Sequence, residues 1–192
     1  MADVLRYLSH PQVRVDPTVA VPDWGLSDIG RSRTESISHS LSLRGTTSII
    51  SSSERKAVET ADMLARPLKL RVQERPATHE NDRSATGFLS PDVFEETANR
   101  FFECPVESID GWERAIDAQS RIVAEVMSAI QDHVSGDLLI VGHGGVGTLL
   151  YCHFAEVPIS RAFDQPAGGG NFFAIDLATR KPVHHWLPME EL

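Results

Sequence analysis

The sequence is poor in cysteine: Cys104 and Cys152 are the only two, far apart and without C-x-x-C spacing. That excludes a disulfide framework, a zinc knuckle and a dithiol redox motif, and it suits a reducing compartment. Long apolar runs are missing too. None approaches the ~18 residues needed to cross a membrane, and the opening MADVLRYLSH has neither a basic start nor a long apolar stretch. The expectation is a cytoplasmic protein with no membrane contact. A basic excess is also absent. Eighteen Lys+Arg face 27 Asp+Glu, for a net charge of −9. That sign argues against nucleic-acid partners but leaves room for a small cationic pocket. No H-x-x-x-H or H-E-x-x-H occurs among the eight histidines. His184 and His185 are adjacent on an expected strand and point to opposite faces, so no metal site is expected.

What is present suffices for a core. With 192 residues, 41% of them hydrophobic and 23% charged, the chain needs no staple to fold, and residues 1–192 are expected to form one domain.

Terminators and periodicity divide the chain into alternating strands and helices. Val4 to Leu8 reads as a strand stopped at Pro11, and Ser27 as the N-cap of a helix reaching about Leu43 before Gly45. Thr46 to Ile50 is short and β-branched, a buried strand. Glu54 to Ala65 reads as a helix ended at Arg66-Pro67, and Leu68 to Gln73 as a third strand. Glu74 to Ser90 has no steady period and reads as a long polar loop of the kind that carries function. Helices follow over Pro91 to Phe102 and from about Gly111 to His133, the second marked by a stripe from Trp112 to Ile130. Asp137 to Val141 is a fourth apolar strand, and Gly142 to Gly147 a glycine-rich turn before a helix ending near Ala155. Asn171 to Asp176 and Pro182 to Trp186 form a terminal strand pair that could be antiparallel. This order implies an α/β three-layer sandwich: a mostly parallel central sheet with helices on both faces.

In such sheets ligands bind beyond the carboxyl ends of the strands. His10 follows the first strand, Lys56 lies in the helical turn after the second, Glu80 follows the third and His143 the fourth. Singly, each has a bland explanation as a hydrogen-bonded or solvated side chain. Together, two imidazoles and a cation suit a tetrahedral oxyanion such as phosphate, with one imidazole as nucleophile and the carboxyl as proton donor. Backbone N–H groups of Gly144 and Gly145 at a helix start would extend that site. A competing motif overlaps it: Gly142 to Gly147 matches G-x-G-x-x-G, but no strand ending in Asp or Glu follows at the required place, so a dinucleotide site is disfavoured.

At these residues the sequence resembles the histidine phosphatase superfamily, the phosphoglycerate mutase-like fold. Tyr7-Leu8-Ser9-His10-Pro11-Gln12 stands where that family has a strand followed by Arg-His-Gly. The run from Leu26 to Arg33 matches its L-S-x-x-G-x-x-Q/R. Ser51 to Ala61 matches its S-S-x-x-x-R-A-x-E-T-A, and Val141 to Gly145 its late strand and His-Gly-Gly turn. The resemblance implies that His10 forms a phosphohistidine, His143 holds the phosphoryl group, Glu80 is the general acid or base, and Lys56 replaces a pocket arginine. Ser9, Gly144 and Arg55 border the phosphate. It further implies hydrolysis of a small phosphorylated substrate or a phosphoprotein, without metal or organic cofactor. Ser9 and Lys56 each remove a planar guanidinium fork, and Pro11 removes an N–H. These losses leave two readings open, a phosphomonoester hydrolase or a phosphate-ligand binding protein without turnover. Arg55, Arg14 and Arg83 are the candidates for a substitute guanidinium, and the glycines at 168–170 could border the pocket.

Overall fold

The computed structural model describes residues 3–192. Its centre is a six-stranded sheet: β1 (Val4–Ser9), β2 (Thr46–Ser51), β3 (Val72–Glu74), β4 (Asp137–Gly142), β5 (Asn171–Asp176) and β6 (Pro182–Pro188). The spatial order is β3-β2-β4-β1-β5-β6. The β3–β2, β2–β4 and β4–β1 pairs are parallel, while β5 joins β1, and β6 joins β5, antiparallel. The final pair is thus antiparallel, with β5 inside the sheet and β6 on its edge. The helices are α1 (Asp28–Ile37), α2 (Arg55–Leu68), α3 (Pro91–Glu103), α4 (Ala115–Asp132) and α5 (Gly144–Phe154).

Side chains alternate across each strand, and this builds two cores. Leu5, Tyr7, Ile50, Leu138 and Ile140 face one layer with Phe101, Trp112, Ile122 and Leu149. Leu8, Ile49, Leu139 and Val141 face the other, against Ile37, Ala57, Ala61 and Leu64. The sheet therefore carries α1 and α2 on one face and α3, α4 and α5 on the other. No helix among the described residues is long and apolar enough to cross a membrane.

Several boundaries differ from the sequence expectation. Helix α1 stops at Ile37 rather than near Leu43, because the Ser38 hydroxyl turns back to the Glu35 carbonyl and Ser40 caps a separate short turn. Helix α2 runs through Pro67 to Leu68. In a last turn the missing N–H removes a single bond, and Lys69 closes the helix in the left-handed region at φ 57°. That extension consumes the start of the expected third strand and leaves three residues in β3. Helix α4 begins at Ala115, not near Gly111, whose φ of +83° is not helical. The glycines after β4 are not a turn either. Gly144, Gly145 and Gly147 lie inside α5, and a Cβ on Gly147 would sit 2.5 Å from Tyr7 and 2.8 Å from Trp186. Gly147 thus lets α5 pack closely on the sheet. The strand that follows is antiparallel, so the segment is not part of a dinucleotide-binding βαβ unit.

Candidate active site

Sheet register places the two histidines side by side. Ser9 on β1 pairs with Gly142 on β4, so the next residues, His10 and His143, leave adjacent parallel strands at the same edge. Their rings lie 5.3 Å apart, edge to face at 72°. The backbone of His10 is clamped: its N–H donates to the Gly142 carbonyl at 2.9 Å, and its carbonyl accepts from Gly170 N–H at 3.0 Å. That second contact explains the glycines at 168–170, all with positive φ. A Cβ on Gly169 would stand 2.6 Å from the His10 carbonyl oxygen. On the ring, Nδ1 is 2.9 Å from the Pro11 carbonyl, which fixes the proton there and leaves Nε2 as the lone-pair nitrogen.

His143 is fully buried. Tyr7, buried beneath it, uses its hydroxyl twice, accepting from the His143 N–H and donating to the His143 carbonyl, each at 3.0 Å. On the ring, Nε2 lies 2.8 Å from the Ser52 hydroxyl and 3.4 Å from the Glu54 carboxylate. Nδ1 is buried without a partner among the described residues. Lys56 is buried as well, its ammonium bound to the Glu54 carboxylate and, at 3.0 Å, to the Val21 carbonyl. Glu54 accepts a further bond from the Glu80 N–H at 3.0 Å. One carboxylate thus spans a cation, an imidazole and a backbone amide, the contacts an anionic oxygen would make there.

Glu80 sits at the start of α5. Its carboxylate accepts from Gly145 N–H at 3.1 Å and Val146 N–H at 2.9 Å. Of the two amides expected to extend an anion site, that of Gly145 therefore already holds a side-chain carboxyl. Beside Gly144 lies Gln165, whose amide nitrogen would be 2.0 Å from an added Cβ.

The remaining sequence candidates separate. Ser9 is fully buried and its hydroxyl is committed to Gln165 and to the Asn171 backbone, which fills the space of a longer side chain. Arg55 is not brought to the site: its side chain is 63% exposed and pairs with Glu59 at 2.9 Å. Arg14 lines a separate surface cleft with Asp16 and Arg31. Arg83 is different. Its guanidinium lies over the Phe94 and Trp112 rings at 5.0 and 5.5 Å, and its charge acts on His10. Sequence reasoning missed Tyr7, Ser52 and Glu54. Tyr7 was detectable in principle, since a tyrosine on a strand's core face requires a partner for its hydroxyl. Among the described residues, no group of three or more His, Cys, Asp or Glu is placed to hold a metal ion.

The electrostatics suit neutral imidazoles. Burial, reinforced by the Lys56 charge, lowers His10 from 6.5 to about 4. Burial lowers His143 further, to about 3, against the opposing pull of Glu54 and Glu80. Glu54 falls to about 2: burial pushes it up, and His143, Lys56 and the Glu80 amide outweigh that. The consequence for stability has a definite sign. Between pH 6.5 and 4 the unfolded chain binds protons at both histidines while the folded chain does not, so stability falls as pH drops through that window. The slope is about 1.4 kcal/mol per pH unit for each imidazole. Below 4.5 the loss of Glu54 charge in the unfolded chain adds to the fall. Denaturant midpoints measured from pH 7 to pH 4 should decrease monotonically; a flat profile would remove the desolvated pair from the account.

Comparison with known proteins agrees with this architecture. The family profile described as histidine phosphatase superfamily (branch 1) matches residues 14–185, and so begins beyond His10. Among solved structures, a mycobacterial glucosyl-3-phosphoglycerate phosphatase in complex with inorganic phosphate superposes with a TM-score of 0.80 at 20% identity, covering 98% of this chain and 99% of the other. Bacillus stearothermophilus YhfR gives 0.80 at 21% identity over 96% and 95%. The alpha-ribazole phosphatase from Shigella flexneri gives 0.72 at 16% over 97% and 96%. At these identities the likeness is one of fold. No curated protein matches the chain.

Proposed function

The chain belongs to the histidine phosphatase superfamily, branch 1, and from that membership we propose that it is a phosphomonoester hydrolase working through a phosphohistidine at His10. The observation that carries this reading is the His10 ring, tied at Nδ1 to the Pro11 carbonyl and kept neutral down to about pH 4. Its Nε2 lone pair is then available at neutral pH. In the proposed cycle Nε2 attacks phosphorus, and the bond to the leaving oxygen breaks as Glu80 hands that oxygen a proton. Water next attacks phosphorus, the N–P bond breaks, inorganic phosphate departs, and Glu80 takes the water's proton. His143 steadies the phosphoryl oxygens. The substrate is a small phosphorylated molecule or a phosphoprotein, and no step calls for a metal or an organic cofactor.

Ser9-His10-Pro11 stands in place of Arg-His-Gly in this reading, and Arg83 supplies the missing guanidinium. It enters from the loop after β3, and among the described residues no carboxylate lies within ion-pair distance of it. Arg83→Ala should lower kcat/KM for an aryl phosphate by about 10²–10³-fold, and Arg83→Lys by less. Equal activity in Arg83→Ala would assign the guanidinium no role.

A second reading, phosphate-ligand binding without turnover, is favoured by Glu54. Its carboxylate occupies the contacts with Lys56 and His143 that a phosphoryl oxygen would use. Hydrolysis of para-nitrophenyl phosphate with chelator present separates the two. Turnover by the wild type and none by His10→Ala supports the hydrolase; phosphate binding with no turnover in either favours the binding protein.

A further inference from the structure

We propose that the leaving-group side of this site is an aromatic cleft that selects phosphomonoesters of flat, uncharged aryl alcohols and phenols and rejects those bearing a second negative charge. The proposal rests on the phosphatase reading above and names its substrate class.

A cavity of about 1060 Å³ opens beside Glu54 and Glu80. Its walls come mainly from the segment at 17–24, the loop at 79–90 and the first turn of α3, all beyond the carboxyl ends of the strands. Trp24 and Phe88 line it as a contacting pair, ring centroids 5.8 Å apart at 58°. The Trp24 N–H is already spent on the Asp16 and Val19 carbonyls, so the residue offers the cleft only ring surface. Phe88 and Val19 are 42% and 39% exposed, apolar surface left open beside a polar site. Phe94 adds a third ring, covered by the Arg83 guanidinium. Flat apolar groups gain most from such walls, by area and by ring–ring contact.

Charge sets the second half of the selection. Arg83 is the single Lys or Arg among the described lining residues, against Glu54, Asp82 and Glu95, with Glu80 beside them as the proton donor. Glu54 and Glu95 are paired with Lys56 and Arg161, but Asp82 has no cation within ion-pair distance among the described residues. Bonds from Ser84 hold Asp82 below the usual carboxylate range, so it stays charged. The phosphoryl group itself takes Arg83. A second anion on the leaving group would then face carboxylates with no cation left for it, a repulsive element of the kind that builds specificity.

The test compares phenyl, 2-naphthyl, para-ethylphenyl and para-(carboxymethyl)phenyl phosphates. The last two have leaving groups of similar basicity and differ by one carboxylate. The expected kcat/KM for the para-ethyl ester exceeds that for the carboxymethyl ester by about tenfold or more. Phe88→Ala, at an exposed position where folding is undisturbed, should reduce the naphthyl-over-phenyl preference about fivefold, as loss of one ring contact predicts. A carboxylated ester used equally well, or an unchanged preference in Phe88→Ala, overturns the proposal. If the wild type hydrolyses none of the four esters, the phosphatase reading fails, and tryptophan fluorescence with naphthylmethyl phosphonate decides the cleft. Quenching that is lost in Phe88→Ala then supports it; no quenching, or quenching unaffected by the change, refutes it.

Discussion

Glu54→Gln should destabilise the protein by about 3–5 kcal/mol in phosphate-free buffer, with a fall in Tm of about 10 °C. Lys56 is 3% exposed, and Glu54 is its one carboxylate partner among the described residues. A neutral amide would leave a buried ammonium uncompensated. The same change removes the negative charge that Glu54 sets against Lys56 and His143 without changing its shape, so a bound anion no longer meets a like charge there. Inorganic phosphate should therefore bind the variant more tightly than the wild type and restore much of the lost Tm, since a ligand that binds only the folded state stabilises it by mass action. Thermal unfolding across a phosphate titration checks both halves. A variant as stable as the wild type, or equally indifferent to phosphate, would mean that Glu54 does not occupy a phosphate position.

His10→Ala should abolish hydrolysis, by at least about 10³-fold in kcat, because the proposed covalent intermediate forms on its Nε2. Folding should survive. The side chain's one protein hydrogen bond goes to Pro11, and the backbone bonds to Gly142 and Gly170 do not involve it. The variant should also be less sensitive to acid than the wild type, since one of the two desolvated imidazoles is gone. Retained activity with unchanged acid sensitivity would count against both the nucleophile and the electrostatic account. Measuring the two together separates a chemical role from a folding defect.

The strands other than β3 were legible because their signals are local and strong. The run Leu138-Leu139-Ile140-Val141 is apolar on both faces and bounded by Asp137 and Gly142, so sequence and structure agree there. Helix ends were less legible, since they depend on weak competitors. Pro67 stops a helix in its interior but not in its last turn, and the serines at 38 and 40 outcompete continuation of α1. The pairing of His10 with His143 could be inferred because both directly follow strands, and adjacent parallel strands then bring them to one edge. Glu54 could not. A glutamate next to a serine run reads as solvated, and its burial against Lys56 and His143 arises only when β2 and β4 pair. That Arg83, rather than Arg55 or Arg14, lies where its charge acts on His10 likewise depends on where the loop at 79–90 folds, which no local pattern encodes.

The central claim is that a phosphoryl group passes through His10. The most direct measurement is intact-mass analysis of the protein mixed with an aryl phosphate and quenched in alkali, where phosphohistidine survives. The account predicts a gain of one phosphoryl group that maps to His10, is absent in His10→Ala, and decays as inorganic phosphate appears. Hydrolysis that proceeds while the protein stays unmodified, or a phosphoryl group found on another residue, would contradict it.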